Sequence, residues 1–359
     1  MGKYPKRNIS MNNVKSILIK NIYYMLSYAF TNLNQSNFED IQKEDFDNIH
    51  NLFAAILSKG IGQQLKQGIY REYINKEEDV STMKGKILIQ GTIKNVLSRK
   101  QVLNCEFDEL SENNLLNQIL KTTVTLLLKL GNVDKEHKSD LKRNMLFFSS
   151  VDTIELNSIR WSTIRFHRNN QTYRMLISIC ELILDGMILT NEKGENRMAS
   201  FIDEQKMNRL FEKFILEYFI KHFPLLSVRA SQIPWSLDDG IGTMLPIMQS
   251  DITISHKNTV LIIDAKFYSK VTQSQYDKHT LWSNNLYQIF TYVKNKDEEF
   301  KNRLTEVSGM LLYAKTDAPL QPDNIYKMSG NKISVKTLDL NLEFIDIQKQ
   351  LDGIVINHF

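Results

Sequence analysis

Cysteine is nearly absent: Cys105 and Cys180 are the only two in 359 residues. They have no paired spacing, which excludes a disulfide scaffold and a zinc site and points to a reducing compartment. A G-x-x-x-x-G-K-[ST] phosphate loop is also missing. Gly60, Gly62 and Gly68 do not fit one, and no Lys-Ser/Thr follows them. The chain itself is therefore not expected to bind or hydrolyse a nucleoside triphosphate. The basic opening "MGKYPKRNIS" has no apolar core behind it, and no apolar run approaches membrane-spanning length. A cytoplasmic protein without membrane contact is expected. There is no strong excess of one charge: 45 basic against 41 acidic residues leave +4. That balance suits a polyanionic partner without identifying one. No base-reading module, internal repeat or low-complexity stretch is recognisable.

Hydrophobic residues make up 42% and charged residues 24%, the balance of a soluble globular protein. The length allows two domains. Apolar residues at helical spacing predict a core-facing helix over Val14–Phe30, in which Tyr23, Tyr24 and Tyr28 are packing residues rather than a stacking platform for bases. A second helix is expected near Asp45–Lys66. The stretch from Gly68 through "TMKGKILIQGTIKN" changes texture. Its alternation and glycines predict short strands, a hairpin-like or small-barrel extension. A long amphipathic helix follows, starting near Ser111, and another covers 169–189. Arg165, Arg168 and Arg174 precede or open the latter; they could meet phosphate, but a solvated helix start is the default reading. The charged break Asn191–Arg197, "NEKGENR", is the best domain boundary. It gives an N-terminal domain over 1–195 and a C-terminal domain over 196–359.

The chemistry concentrates in "SDITISHKNTVLIIDAKFY". Two β-rich runs, Asp251–Ser255 and Val260–Phe267, flank a polar turn. Closing that turn between Lys257 and Asn258 opposes Ile252 to Ile263, Ile254 to Leu261 and Asp251 to Asp264. Alternation then places Ile252, Ile254, Leu261, Ile263, Ala265 and Phe267 on a buried face, with Asp251, Asp264 and Lys266 on the other. Opposed residues have Cβ atoms roughly 4.5–5.5 Å apart. Two carboxylates that close repel unless a cation lies between them. Mg²⁺ suits such a pair, since it takes one or two carboxylates and keeps waters for a phosphate substrate; Mn²⁺ can substitute. Lys266, on the same face, is placed to orient or deprotonate an attacking water and to offset phosphate charge.

Asp-x-Lys alone is more often a solvated strand face with a weak ion pair. The flanks argue otherwise here. Leu261-Ile262-Ile263 marks a central strand, where an unpaired charge is costly. Downstream, "SNNLYQIFTYV" reads as a helix capped by Ser283, with Gln288 and Tyr292 at i, i+4 on one face.

This set resembles the PD-(D/E)xK nuclease core in its RecB-like variant, which carries a Gln-x-x-x-Tyr helix. The resemblance makes Asp251 and Asp264 metal ligands, with the Ala265 backbone carbonyl beside them, and Lys266 the catalytic lysine. It makes Gln288 and Tyr292 DNA-binding and site-organising residues. A helix-borne Glu often completes the metal shell in that superfamily. "NRLFEKFILEYFIKHF" offers Glu212 and Glu217, about 140° apart around a helix, so one at most faces the metal; Glu212 is preferred over Glu217, and an exposed helix charge is the alternative for either.

Over nearly its full length the chain also resembles the McrC nuclease subunits of McrBC methylcytosine-dependent restriction systems. The segments that carry this are "NIYYMLSYAF", "MKGKILIQGTI", "FDELSENNLLNQILKTT", "LFEKFILEYF", "SDITI", "LIIDAKFY" and "NLYQIFTYV", in the family's order. The resemblance implies an α/β fold, α+β overall: a mixed helical and β N-terminal domain with a finger-like segment near 70–106, then a restriction-endonuclease-like nuclease core. It implies an endonuclease acting on double-stranded DNA and a McrB-like AAA+ partner ring. The finger enters that ring, and the partner, not this chain, binds GTP. Three alternatives stay open: a stand-alone RecB-like nuclease, a subunit of a system reading unmodified sites, and a purely structural activator of the partner motor with a vestigial nuclease fold, against which the intact Asp251, Asp264 and Lys266 set speaks. Counting one such site per chain, and two antiparallel strands per duplex, predicts two copies of this subunit in the cleaving assembly.

Overall fold

The computed structural model describes residues 19–30, 41, 44, 46, 48–167, 170–193, 204–268, 272–275, 278–301, 304–316, 318 and 320–359. The first part of the expected Val14–Phe30 helix, Arg168 and most of the "NEKGENR" break lie outside them.

The chain forms two compact units, one of residues 48–184 and one joining 1–47 to 185–359. This departs from a single cut near 195. The first helix, α1 (Ile19–Ala29), packs on the C-terminal half. Asn21 donates to the carbonyls of Leu340 and Leu342, both at 2.8 Å. Tyr24 stacks on Phe344 with ring centroids 4.0 Å apart, and Tyr28 packs against Phe214 and Tyr218. The N-terminal tyrosines are thus packing residues, as their spacing predicts.

In the 48–184 unit, α2 (Ile49–Gln67) starts at Asn48, whose side chain accepts from the Asn51 amide. It buries Leu52, Phe53, Ile56 and Leu57. A ribbon of β1 (Glu72–Val80) and β3 (Leu103–Ser111) follows, antiparallel from Glu72↔Ser111 to Val80↔Leu103, with β2 (Lys86–Ile87) on the far side of β3. This is the extension the glycines signal. One part differs: after Ile87 the strand stops, and "IQGTI" is not a strand but the start of helix α3 (Ile89–Leu97). Polar contacts fix it. Asp79 accepts from Asn95 at 2.7 Å and from Asn104 at 3.0 Å. Gly91 lets α3 approach, because a Cβ there would sit 2.3 Å from Asn104 Oδ1. Helix α4 (Leu115–Lys129) is capped by Asn114, three residues later than expected, and α5 (Lys135–Met145) and α6 (Gln171–Lys193) complete the run. Buried Asn117 donates to the Tyr70 and Glu112 carbonyls and accepts from the Tyr173 hydroxyl, anchoring the root of the ribbon.

The other unit is built on a six-stranded mixed sheet. After α7 (Glu204–His222) come β4 (Ser227–Arg229), a short β5 (Gln232–Ile233) and β6 (Met248–Gln249) pair, β7 (Ile252–His256) and β8 (Thr259–Lys266). A small hairpin of β9 (Thr272–Gln275) and β10 (Lys278–Leu281) leads into α8 (Ser283–Glu299). Then follow β11 (Glu306–Ala314), β12 (Asn324–Met328), β13 (Asn331–Leu338) and α9 (Phe344–Ile356). The sheet order is β12-β13-β11-β8-β7-β4. The β8–β11 and β11–β13 pairs are parallel and the rest antiparallel. Fully burying each large apolar side chain of such a core contributes about 1.5–3 kcal/mol.

Both faces of β8 are covered, so the polar face expected for Asp264 and Lys266 is part of the core. There Val260 and Ile262 join Leu311, Tyr313, Ile333 and Val335 under Ile289, Tyr292 and Val293 of α8. Gly309 permits the close pass of α8, since a Cβ would lie 2.7 Å from Val293. Helix α7 packs over β7 and β8, with Phe211 edge-on to Phe267.

Candidate active site

The hairpin register is the one the alternation requires: Ile252 opposes Ile263, Ile254 opposes Leu261, and the turn is Lys257-Asn258. Lys257 takes a left-handed φ of 48° to close it. Asp251 sits one step before the first ladder pair, where β7 has not yet begun. Its side chain therefore reaches across in place of a backbone partner, and Oδ2 accepts from the Ala265 amide at 2.9 Å. In a strand the amide and carbonyl of one residue share a side, so the Ala265 carbonyl runs past the end of the ladder toward the same place.

Lys266 closes the cluster. Its Nζ lies 2.8 Å from Asp264 Oδ1 and 3.8 Å from Asp251 Oδ2. Asp264 is fully buried and Lys266 nearly so. Burial raises the pKa of Asp264 and of Asp251, and the lysine opposes that rise. Burial also works against the lysine's own charge, but Asp264 and Asp251 outweigh it and hold Lys266 above the usual lysine range. The group is an ammonium that donates rather than a free base.

Glu212 joins from α7. Burial, and then the Asp251 charge, push its pKa up to about 7, with a smaller contribution from Asp264. Asn208 donates to the Glu212 carboxylate and accepts from the Phe267 amide at 2.7 Å, locking this face of α7 to the end of β8. Glu217 lies about 180° from Asn208 around the helix, so it points elsewhere.

The donor set fits a hard divalent cation. Asp264 Oδ2 is buried with no hydrogen-bond partner, an oxygen whose desolvation is uncompensated by protein. Among the described residues no three His, Cys, Asp or Glu side chains close into a ready-made metal cage. The fit is that of a two-carboxylate site, with Glu212 and the Ala265 carbonyl at its rim, of the kind Mg²⁺ completes with water.

Gln288 and Tyr292 form a pair of their own on α8, Gln288 Nε2 donating to the Tyr292 hydroxyl at 3.0 Å. Tyr292 belongs to the core under that helix. One residue escaped the sequence reading. Buried Asn285 donates to the Tyr313 hydroxyl at 2.9 Å and accepts from the Tyr268 hydroxyl at 3.4 Å. Its signal was available: Asn285, Gln288 and Tyr292 stand at i, i+3 and i+7, a polar stripe along one helix face. Arg165 donates to the Ser162 carbonyl, as a helix approach would, and Arg174 is exposed.

Fold and site together define a mixed α/β protein with an acid–acid–lysine cluster buried where two adjoining strands meet. The chain belongs to the McrBC 5-methylcytosine restriction system component family, whose profile matches residues 4–314. It is similar to the type IV methyl-directed restriction enzyme EcoKMcrBC of Escherichia coli K12. The two are 27% identical over 340 residues, 93% of this chain and 96% of that protein. Its fold is similar to that of a chain in the half-complex from a tetradecameric assembly of Thermococcus gammatolerans McrB AAA+ hexamers with bound McrC. That match has a TM-score of 0.52 and 19% identity, and covers 94% of this chain and 75% of the other. No helix among the described residues is long and apolar enough to cross a membrane.

Proposed function

We infer that the protein is the DNA-cleaving subunit of a GTP-dependent restriction complex directed at modified cytosine, and that its site is of the PD-(D/E)xK type. The observation that carries this reading is the buried cluster of Asp251, Asp264 and Lys266 with Glu212 alongside. Asp251, Asp264, the Ala265 carbonyl and Glu212 would hold Mg²⁺ or Mn²⁺. The cation supplies a Lewis acid and a water of lowered pKa. Lys266, kept as an ammonium by the two aspartates, donates to the scissile phosphodiester and offsets its developing charge. Gln288, set by Tyr292, positions the DNA backbone.

The partner is a McrB-like AAA+ ring that binds the GTP. The ribbon of β1 and β3 with α3 is the element that meets it and stimulates its hydrolysis. Ile89, Ile93, Val96 and Leu97 support this, because they form an exposed apolar stripe along α3, each more than half exposed. Such a stripe marks an interaction surface. Two copies of this subunit act in the cleaving assembly, and the setting is cytoplasmic. The test is co-expression with the AAA+ protein, then incubation with methylated and unmethylated DNA, with and without GTP and Mg²⁺. Cleavage confined to methylated DNA with GTP is the expected result. Cleavage by the isolated chain without GTP would favour the stand-alone nuclease, and cleavage of unmethylated DNA a different target.

A further inference from the structure

The polar side chains behind Lys266 are arranged for more than stability. Tyr313 on β11 is in direct register with Lys266 on the parallel strand β8, so their side chains leave the same face of the sheet. Tyr268 stands two residues beyond the lysine along the chain, and its ring centroid is 6.3 Å from that of Tyr313. Asn285, in the first turn of α8, bonds to both hydroxyls. All the other inward residues of α8 near it, Ile289, Tyr292 and Val293, belong to the apolar cluster. A neutral hydrogen bond contributes little net, while a buried polar group left without its partner costs more than the bond contributes. A leucine at position 285 would bury as much surface without that exposure to loss. Stability alone does not account for the amide.

We propose that Asn285 is a positioning residue for Lys266: it fixes the two phenols that neighbour the lysine, one across the sheet and one along the chain, and so sets the line on which the ammonium reaches Asp264 and the phosphodiester. The consequence for catalysis rests on the nuclease reading; the consequence for the lysine does not. Side chains of a reacting constellation must be held by packing and by outer hydrogen bonds, and a misplacement of about 1 Å costs on the order of 10²-fold in rate.

The test uses the triple variant Asn285→Leu/Tyr268→Phe/Tyr313→Phe, which removes both hydrogen bonds of the amide together with both partner hydroxyls and leaves none of them unpaired. The full-length protein is acetylated with acetic anhydride. Modification of Lys266 is followed by peptide mass spectrometry against Lys296, a lysine of α8 that is equally buried and paired with Glu299. The melting temperature should stay near that of the parent, Lys266 should react several-fold faster, and Lys296 should not change. In the complete complex, single-turnover cleavage at saturating DNA should fall about 10²-fold, with DNA affinity in Ca²⁺ unchanged. Parent-like reactivity of Lys266, or equal acceleration of both lysines, would overturn the proposal. A parent complex that cuts no DNA, with Lys266 still selectively freed in the variant, would leave the positioning role standing and overturn the nuclease reading instead.

Discussion

The Phe267 amide donates to Asn208 Oδ1 at 2.7 Å, and the amide of Asn208 donates in turn to Glu212 one helical turn further on. One side chain thereby pins α7 to the end of β8 and aims Glu212 at the aspartates. Of the two glutamates of α7, Glu212 is the one this contact turns toward the aspartates, and we propose it over Glu217 as the metal ligand.

Glu212→Gln should weaken Mn²⁺ binding measured by calorimetry, and Glu217→Gln should not. Asn208→Ala, which keeps every ligand but loses the partner that orients one, should lower metal affinity by about 10–100-fold. Equal effects at the two glutamates would remove Glu212 from the metal shell.

Asp264→Ala and Lys266→Ala should each abolish strand scission while the variants still assemble with the AAA+ ring and still stimulate its GTPase. Removing one partner of a buried ion pair costs about 3–5 kcal/mol, so each variant is first melted to show that it folds. A folded Lys266→Ala protein that cleaves at the parent rate would reduce the lysine to an ion-pair member.

Metal binding should tighten with pH. Burial and the Asp251 charge hold Glu212 near 7, and burial also raises both aspartates. A raised carboxyl keeps its proton to higher pH when folded than when unfolded. The metal-free protein therefore loses stability as pH rises from the ordinary carboxylate range to about 7, and little beyond it. A divalent ion needs the ionised forms and must displace those protons. The rise in melting temperature caused by Mg²⁺ should be larger at about pH 8 than at about pH 6. A larger rise at the lower pH would contradict the assignment of these carboxylates as ligands.

The hairpin was legible to the residue because period-2 alternation and a two-residue turn leave only one register that buries Ile252, Ile254, Leu261 and Ile263. The helix of Gln288 and Tyr292 was legible, though Ser283 is its first residue rather than its cap, which falls at Trp282 with no side-chain hydrogen bond. Three things were not. The burial of the Asp264 face depends on α8 crossing over Gly309, a tertiary contact with no local signature. Helix α3 carries β-branched residues and a glycine that read as strand, and it is decided by Asp79, sixteen residues from Asn95. The place of α1 depends on Asn21 reaching Leu340 and Leu342, more than 300 residues away, which no reading along the chain can see.

A second pH effect concerns three histidines. Burial lowers the pKa of His50, His222 and His358. His222 is bonded to the Tyr28 hydroxyl at 2.7 Å and stacked on Tyr218. A depressed histidine stays neutral when folded while its unfolded counterpart takes up a proton. Their stabilising contribution is thus complete above about 6.5, the ordinary histidine value, and is lost as pH falls below it. His222→Gln should flatten the acid limb of a urea-denaturation series between about pH 6.5 and pH 5. An unchanged limb would show that His222 does not titrate differently on unfolding.

The last prediction concerns the stripe on α3. Ile89, Ile93, Val96 and Leu97 recur at i, i+4, i+7 and i+8, the spacing of an amphipathic helix's buried face, yet they are exposed. The opposite side of α3 is already occupied, by the contact of Gly91 with Asn104 and by Asn95 with Asp79. The stripe is thus not the face that holds α3 on the ribbon, and charging it should leave the fold intact. Ile93→Lys/Leu97→Lys should keep the parent melting temperature but weaken association with the AAA+ ring in analytical ultracentrifugation. The same variant should lower the stimulated GTPase rate, with the metal affinity of the nuclease unit unchanged. Asn95→Ala should differ: it leaves Asp79 short of a partner and frees the helix, so the ribbon itself should become protease-sensitive. If the charged stripe leaves ring association unchanged, α3 is not the docking face, and the contact must lie along the polar edges of β1 and β3.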